Sequence, residues 1–426
     1  MLYLYKIITT ILYPFLIIFI FIRKIKKKEH PTRFKEKIFP SSFNINRDKR
    51  LKLIWFHASS IGELNSILPI VEDLNKKKKL EFLITTSTFS SGEMAKRLLD
   101  RFKNIQHRYL PLDVNFLVSR FVDSWSPNAL FLVDSEIWPN LISKVNKNKI
   151  PLALINARLT LKTFKRWNIF SNTAKKIFGF INLCLTANQE TKEFLQKFNV
   201  NNIYYHGNIK LIKKIDLNKI HNPNKEILKN KKFWFAASTH RGEEILCLET
   251  HLFLKKTYKE ILTIIAPRHI VRVNEVKNLC DKFKLTSQIL DSGDAIQNNK
   301  EIIILSSFGV LNQFFKYTKS TFIGKSLVEK LKNEGGQNPI DAAKLNCKVY
   351  HGPFVYNFNE IYEILRKNNV SKKIENATEL GNNLLTDLNN NSKKETDISS
   401  FIDKLGSKTF DNTMKYINKF LSNEIK

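Results

Sequence analysis

The sequence has few of the residues and motifs that mark metal sites, disulfide-stabilised folds and ATP-binding loops. Its four cysteines, at positions 184, 247, 280 and 347, are far apart, and no pair has metal-ligand spacing. The histidines form no cluster that would favour zinc. No Gly-x-Gly-x-x-Gly follows the first predicted strand, and Gly324-Lys325-Ser326 lacks the upstream glycine of a phosphate loop. We therefore predict reduced, buried thiols, no metal and no ATP hydrolysis.

Acidic residues are also scarce relative to basic ones. The chain of 426 residues has 39 Asp and Glu against 70 Lys and Arg, which gives a formal net charge of +31. Such an excess favours an anionic partner, such as a membrane face, a phosphorylated lipid or a nucleic acid. Because lysine and asparagine are frequent throughout, including in predicted loops, compositional drift is an alternative explanation. The hydrophobic fraction of 43% suffices for two domain cores at this length.

The N-terminal segment 2–22 is apolar apart from Lys6 and is long enough to cross a bilayer as a helix. Pro14 interrupts it, which a membrane helix tolerates better than a soluble one. A basic flank, 23–28, follows directly. By the positive-inside rule, residues 1–28 are predicted to be a single-pass anchor with the remaining chain in the cytoplasm. A cleaved signal peptide and a helix lying in the membrane interface are the alternatives.

From about residue 50, short apolar runs alternate with helical patterns. Strands are predicted at 53–56, 80–84, 108–113, 129–133, 151–156 and 202–206, and then at 233–237, 261–265, 302–305, 320–323 and 348–350. This alternation predicts an α/β protein with two doubly wound parallel sheets. The predicted divisions are an N-terminal domain at 29–210, a linker at 211–231, a second domain at 232–400 and a C-terminal helix at 401–426.

The stretch 53–74 carries the strongest local signal. A predicted buried strand ends at Phe56, small residues allow a tight turn, and a helical pattern begins with Glu63 in its first turn. The carboxyl edge of an open α/β sheet is where ligands bind, and Asp134 and Glu136 also follow a predicted strand. Carboxylates near basic side chains suit general-base chemistry on a hydroxyl. The alternatives are metal binding and, for Glu63, an ordinary helix N-terminus.

In the second half, Gly335 and Gly336 precede Pro339 and Asp341. Paired glycines before a helix start favour an anion site, and the carboxylate could accept bonds from ribose hydroxyls. Arg268 follows a predicted strand and could pair with a phosphate. An ordinary glycine turn and a solvated surface arginine are the alternatives.

Eight short blocks in the sequence form an ordered series. They are Phe56–Glu63, Leu110–Asp113, Asp134–Asn140, Asn156–Leu159, Gly207–Lys210, Ala237–His240, Pro267–His269 and Gly335–Pro339. In this order they resemble the 3-deoxy-D-manno-octulosonic acid (Kdo) transferases of lipopolysaccharide synthesis, over about residues 33–365. The series is far more specific than any single block.

The resemblance implies a GT-B glycosyltransferase, with two Rossmann-like domains facing a cleft, anchored to the cytoplasmic face of the inner membrane. It implies inverting transfer of Kdo from CMP-Kdo to the lipid A precursor, lipid IVA, without a cofactor and with Glu63 as general base. The expected partners are CMP-Kdo, lipid IVA and anionic inner-membrane lipids, and no nucleic acid. The implied donor residues are Pro267, Arg268, Gly309, Val310, Gly335, Gly336, Asn338 and Asp341. The implied acceptor or transition-state residues are Ser60, Gly62, Glu136, Arg158 and Lys210.

Some positions depart from the family pattern. Lys325 stands where a second glycine is usual, Gln337 where histidine is common, and Asp341 where glutamate is common. These differences concern the donor site and leave Glu63 in place. Two other functions remain open: a GT-B transferase for another nucleotide sugar, and a catalytically silent membrane-anchored protein that binds anionic lipid.

Overall fold

The computed structural model describes residues 1–43, 45, 47–77, 79–390 and 398–424 and contains two compact units. The first unit comprises residues 1–213 together with the chain from Leu405 onward, and the second comprises residues 214–404. Each unit is built on a seven-stranded parallel sheet with helices on its faces. The predicted α/β class with two doubly wound, Rossmann-like sheets is confirmed.

In the first unit, the chain starts in the middle of the sheet and builds outward in both directions. Its strands are β1 (Lys52–His57), β2 (Leu80–Thr86), β3 (Ile105–Tyr109), β4 (Ala129–Val133), β5 (Leu152–Ala157), β6 (Leu183–Thr186) and β7 (Ile203–Tyr205). The strand order is β3-β2-β1-β4-β5-β6-β7. The switch in direction therefore falls between β1 and β4, which is where open α/β sheets bind ligands.

The helices of the first unit cover both faces of this sheet. They are α1 (Leu2–Ile11), α2 (Tyr13–Ile25), α3 (Ile61–Asn75), α4 (Phe89–Leu99), α5 (Asn115–Trp125), α6 (Pro139–Lys147), α7 (Leu161–Ile169), α8 (Ser171–Phe178) and α9 (Gln189–Gln196). Successive side chains of β1 enter opposite core clusters, with Trp55 on one face and Phe56 on the other. This two-sided burial explains why the strands are continuous apolar runs.

Two strand predictions in this unit need correction. The strand predicted at 108–113 lies at 105–109, because the chain after Tyr109 leaves the sheet and Leu112 pairs through its backbone N–H with Lys37 O. The sequence analysis missed β6, which is only four residues long.

The second unit has the same doubly wound plan. Its strands are β8 (Phe233–Thr239), β9 (Leu262–Pro267), β10 (Ser287–Leu290), β11 (Ile302–Leu305), β12 (Ser320–Ile323), β13 (Lys348–His351) and β14 (Ser371–Lys373), in the order β10-β11-β9-β8-β12-β13-β14. Its helices are α10 (Lys225–Asn230), α11 (Glu243–Lys255), α12 (Val273–Lys282), α13 (Leu311–Phe315), α14 (Ile340–Lys344), α15 (Asn359–Lys367) and α16 (Ala377–Asn389). The sequence analysis missed the edge strands β10 and β14, whose polar side chains leave no apolar run.

The N-terminal apolar segment forms two helices, α1 and α2, that are bent by 58° relative to each other. Pro14 lies at the start of α2, where its missing N–H costs little. Among the described residues, no single helix passes a length and hydropathy test for crossing a membrane, whereas this bent pair passes it jointly. The pair also contacts the first unit, since Tyr5 Oη donates to Asp113 Oδ2 at 3.0 Å and Ile20 packs with Phe34.

The segment predicted as a linker, 211–231, is largely structured. The boundary between the units falls within it, after Lys213. Beyond that point it contains α10, and Leu228 is buried in the core of the second unit. Two buried asparagines, Asn222 and Asn224, bond to neighbouring backbone groups, so polar composition here reflects ordered contacts and not a solvated linker.

The C-terminal helix α17 (Ile398–Glu424) begins in the second unit and continues into the first. Its later residues Met414, Ile417 and Phe420 are buried in the core of the first unit, where Phe420 meets Phe131 edge-on. The first unit is therefore completed by residues from the far end of the chain.

Candidate active site

Glu63 lies in the first turn of α3, directly after the carboxyl end of β1. Ser60 caps this helix: its Oγ donates to Glu63 Oε1 at 2.7 Å and accepts from the Glu63 N–H at 3.4 Å. The Ser59 N–H donates to Glu63 Oε2 at 2.7 Å. The carboxylate is thus folded back onto its own loop, with both oxygens held and 9% of the residue still exposed.

Burial raises the pKa of Glu63 to about 7. The negative charges of Asp134 and, more weakly, Glu136 act in the same direction, while the hydrogen bonds from Ser60 and Ser59 oppose them. A carboxyl group with a pKa near neutrality can both take and release a proton under cellular conditions, as a general base must.

Asp134 follows β4 and is tied to two neighbouring loops. Lys210 Nζ donates to Asp134 Oδ2 at 2.7 Å, and Asn156 Nδ2 donates to the other oxygen. Asp134 and Asn156 both lie in the left-handed backbone region, at φ of 57° and 54°, which Asp and Asn tolerate better than most residues. The Arg158 N–H donates to the Asp134 carbonyl at 3.2 Å, which fixes the loop after β5 against the loop after β4.

Glu136 lies two residues beyond Asp134 and accepts two hydrogen bonds on one oxygen. Trp138 Nε1 is 2.8 Å from Glu136 Oε2, and His57 Nε2 is 3.2 Å from the same atom. Glu136 was predicted from the sequence, whereas its two donors were not. The available signal was their place inside two of the blocks that carry the resemblance, Phe56–Glu63 and Asp134–Asn140.

The structure brings one predicted group together at the carboxyl edge of the first sheet. Its members are Ser60, Gly62, Glu63, Glu136, Arg158 and Lys210. Gly62 differs from the glycines that the fold requires: it is exposed, and a Cβ added there would meet only Ser60 Oγ at 3.9 Å. Packing therefore gives no reason for a glycine beside Glu63, and the space around its Cα is open.

In the second unit, the sequence analysis missed a buried glutamate with a structural role. Glu243, in the first turn of α11 after β8, accepts hydrogen bonds from the backbone N–H groups of His240, Lys325, Ser326 and Leu327 at 2.8–3.0 Å. It is only 1% exposed, and burial raises its pKa. Glu243 thus holds the loop after β12 in place.

That loop also explains the paired glycines. A Cβ at Gly335 would lie 2.3 Å from Phe354 O, and the Gly336 N–H donates to Lys325 O at 2.5 Å. The close approach that requires glycine here is to protein backbone. Lys325 itself lies at φ 61°, in the backbone region that favours glycine, which gives a physical reason to expect glycine at this position.

The remaining predicted donor residues are spread along the loops of the second unit. Arg268 is exposed just after Pro267 at the end of β9, and Gly309, at φ 79°, precedes the buried Val310 at the start of α13. Asn338 is exposed and its side chain accepts from the Ile340 N–H at 3.0 Å, while Asp341 lies in the first turn of α14. Among the residues with described positions, no three His, Cys, Asp or Glu side chains form a potential metal site.

Comparison with known proteins identifies the family. A family described as 3-deoxy-D-manno-octulosonic-acid transferase (kdotransferase) matches residues 32–212, which include Glu63 and Glu136. The 3-deoxy-D-manno-octulosonic acid transferase of Haemophilus influenzae is 30% identical over 324 residues, 73% of each chain. The chain belongs to the Kdo transferase family. A Kdo transferase of Rickettsia bellii is 29% identical over 439 residues, covering 99% of this chain and 100% of its own.

Membership in the Kdo transferase family confirms the predicted resemblance and makes the chain an enzyme of the glycosyltransferase class. Solved structures support the fold alone. HepE of Anabaena, in complex with UDP and glucose, superposes with a TM-score of 0.57 at 13% identity, over 87% of this chain and 100% of its own. Two Rossmann-like sheets of this kind are those of the GT-B fold, as predicted.

Proposed function

We propose that this Kdo transferase moves Kdo from CMP-Kdo to a hydroxyl of lipid IVA, with inversion and with Glu63 as the general base. The observation that carries the proposal is the state of Glu63: its carboxylate is held by Ser59 and Ser60 at the sheet edge and its pKa is raised to about 7. Gly62 supports the same role, because it leaves space beside this carboxylate.

The reaction is a single displacement. Glu63 takes the proton of the acceptor hydroxyl, and the resulting oxygen nucleophile attacks the anomeric carbon of Kdo while the bond from that carbon to the phosphate oxygen of CMP breaks. Attack opposite the leaving group inverts the anomeric configuration. Lys210, paired with Asp134, and Arg158 provide positive charge at the same sheet edge as Glu63.

We assign CMP-Kdo binding to the second unit. Arg268 holds the phosphate, Gly309 and Val310 line the cytosine pocket, and Asn338 and Asp341 take the phosphate and ribose region. Pro267, Gly335 and Gly336 shape the loops that carry these groups. Positive side chains and backbone N–H groups stabilise the departing CMP in this proposal, and the reaction uses no metal or other cofactor.

We assign membrane attachment to α1 and α2, with anionic inner-membrane lipids and lipid IVA as partners, the catalytic units on the cytoplasmic side, and no nucleic acid. Large apolar side chains on these helices are exposed, including Tyr3 at 77%, Phe15 at 67% and Ile25 at 79%. The lysines at 24 and 26–28 follow directly, and each basic residue near an anionic surface contributes about 1 kcal/mol.

The test is a reaction of the purified full chain with freshly generated CMP-Kdo and lipid IVA, followed by mass spectrometry. Addition of one or more Kdo masses supports the proposal and counts the sugars transferred. Thermal unfolding in the presence of CMP, UDP or GDP is measured in parallel. No product from CMP-Kdo, together with stabilisation by UDP or GDP but not by CMP, would assign the chain to another nucleotide sugar.

A further inference from the structure

Glu136 is the exposed end of a hydrogen-bonded chain that is otherwise buried. Trp55 Nε1 lies 2.9 Å from Thr85 Oγ1, which lies 2.9 Å from His57 Nδ1. His57 Nε2 then lies 3.2 Å from Glu136 Oε2. The first three members are fully buried, whereas the Glu136 side chain is 16% exposed. The chain therefore runs from the core of the first sheet to the site edge.

The two ends of this chain require a proton on His57 Nε2, because an indole N–H only donates and a carboxylate only accepts. Nε2 therefore donates to Glu136, and Thr85 Oγ1 accepts from Trp55. The Thr85 carbonyl already accepts from the Ala58 N–H at 3.0 Å, so in the neutral ring we assign Nδ1 as the acceptor of the Thr85 hydroxyl hydrogen. The other neutral tautomer is unfavourable. Its proton would be on Nδ1, directed at the Thr85 carbonyl 3.1 Å away, and the lone pair of Nε2 would then face the Glu136 carboxylate oxygen and be repelled by it.

Both donors to Glu136 use the same oxygen. His57 Nε2 and Trp138 Nε1 each contact Oε2, and the second oxygen, Oε1, has no hydrogen-bond partner among the residues that the structure describes. A carboxylate held by two N–H groups on one oxygen keeps a fixed orientation, and its other oxygen remains a strong acceptor. The exposed part of the side chain lies at the edge that also carries Glu63, whose pKa responds to the Glu136 charge.

We infer that His57 is a positioning residue that fixes Glu136, and that Glu136 Oε1 accepts a hydrogen bond from a hydroxyl of a sugar substrate. The inference rests on the proposed function, which supplies two hydroxyl-bearing substrates, the lipid-linked disaccharide and Kdo. A partly exposed acceptor aligned in advance contributes to binding or to the transition state without reorganising when the substrate arrives.

The informative variant is Thr85→Val, which removes the hydroxyl and keeps the shape of the side chain. In this variant the only remaining neighbour of His57 Nδ1 in the chain of hydrogen bonds is the main-chain carbonyl of residue 85. A carbonyl only accepts, so we expect the ring proton to move from Nε2 to Nδ1 and donate to it. We expect kcat/KM for Kdo transfer to fall about 10- to 100-fold, since a hydrogen bond to a charged group is lost. A rise in KM for lipid IVA alone would place the hydroxyl on the acceptor, and a rise in KM for CMP-Kdo alone would place it on the donor.

Three further variants separate positioning from folding. His57→Gln restores an N–H near the position of Nε2 and should recover most of the rate, whereas His57→Leu should not. Trp138→Phe removes the second donor and should lower kcat/KM as well. The matched control is Thr186→Val at the end of β6. It removes a buried hydroxyl that, among the described residues, donates only to Tyr204 O at 3.3 Å, and it should leave the rate near that of the wild type.

A readout independent of activity is the tautomer of His57, measured by 15N NMR of the histidine-labelled full chain. We expect the Nε2–H form in the wild type and the Nδ1–H form in Thr85→Val. An Nδ1–H ring in the wild type, or a tautomer change in Thr85→Val with unchanged kcat/KM, would overturn the inference. A wild type that transfers no Kdo would instead overturn the proposed function, and with it the hydroxyl assignment, while the NMR result still decides the role of His57.

Discussion

Two glutamates occupy equivalent places in the two units, and their surroundings differ. Each lies in the first turn of the helix that follows the first strand of its sheet: Glu63 after β1 and Glu243 after β8. Burial raises the pKa of both. Glu243 accepts from four backbone N–H groups and is closed off, whereas Glu63 accepts from one backbone N–H and one serine hydroxyl and is partly exposed.

Under the proposed mechanism, the same position in the two sheets serves two purposes. Four fixed amides use up the acceptor capacity of Glu243, so its carboxylate organises a loop and has little left for a substrate. At Glu63 fewer donors and two nearby carboxylates leave a group that can still gain or lose a proton near neutral pH. The number of donors around a buried carboxylate, and not its place in the fold, distinguishes the two roles.

The largest effect is expected for Glu63→Gln. A group that removes a proton in the transition state typically contributes about 10²- to 10⁴-fold to the rate, so Kdo transfer should fall by that factor. Unfolding should show a protein at least as stable as the wild type. The rate of Kdo transfer is measured by mass spectrometry. A rate for Glu63→Gln within a few fold of the wild type would show that Glu63 is not the general base and does not differ from Glu243 in this respect.

Glu243→Ala should act on stability. Four backbone N–H groups lose their acceptor, and each buried donor left unpaired costs about 1–3 kcal/mol. We expect the free energy of unfolding to fall by roughly 3 kcal/mol or more and CMP protection to be lost, as measured by denaturant and thermal unfolding. The control is Glu63→Gln, which should retain CMP protection. An unchanged unfolding midpoint in Glu243→Ala would contradict the structural role.

The pH dependence of stability should separate wild type from Glu63→Gln. The pKa of Glu63 is about 7 in the folded protein against 4.5 for an unperturbed glutamate, so the folded state binds this proton more tightly. Since each pKa unit corresponds to about 1.4 kcal/mol, the wild type should lose about 3 kcal/mol of stability in total, relative to the variant, as pH rises from about 4.5 through 7. Denaturant unfolding at pH 5 and pH 8 measures this difference. If the difference in unfolding free energy between wild type and Glu63→Gln is the same at pH 5 and pH 8, the pKa of Glu63 is not raised.

The smallest expected effect on stability is that of Gly62→Ala. Alanine favours a helix over glycine, and the added Cβ has room, so stability should rise by up to about 0.5–1 kcal/mol. Transfer should nevertheless fall if the acceptor approaches Glu63 over this position, and the loss should appear in KM for lipid IVA. An unchanged KM would show that the substrate approaches from another side.

The sequence was sufficient for the elements whose pattern is local. Buried strands such as β1 and β4 are continuous apolar runs, and Glu63 follows directly from a strand, a tight turn and a helix start. Edge strands such as β14 contain no apolar run and were therefore not predicted from the sequence. The roles of the individual predicted donor residues stay predictions.

Residues that act through distant partners were the hardest to predict. Thr85 contacts His57 from a neighbouring strand, and Glu243 contacts a loop more than eighty residues later, at 325–327. Nothing in the local sequence encodes such pairing, since it depends on sheet order and register. The sequence shows that Gly335 and Gly336 are adjacent, which predicted an anion site. The structure shows why glycine is needed there: a Cβ at either position would clash with the backbone of Phe354 or Val355.

The return of α17 to the first unit has a consequence for how the protein is made. Strands β1–β7 leave the ribosome early, but the core they form is also lined by Met414, Ile417 and Phe420, which are synthesised after the whole second unit. The second unit can complete its own core while the first still exposes apolar surface. The first unit to be translated is thus the last to finish folding, and a fragment ending near residue 213 would lack part of its own interior.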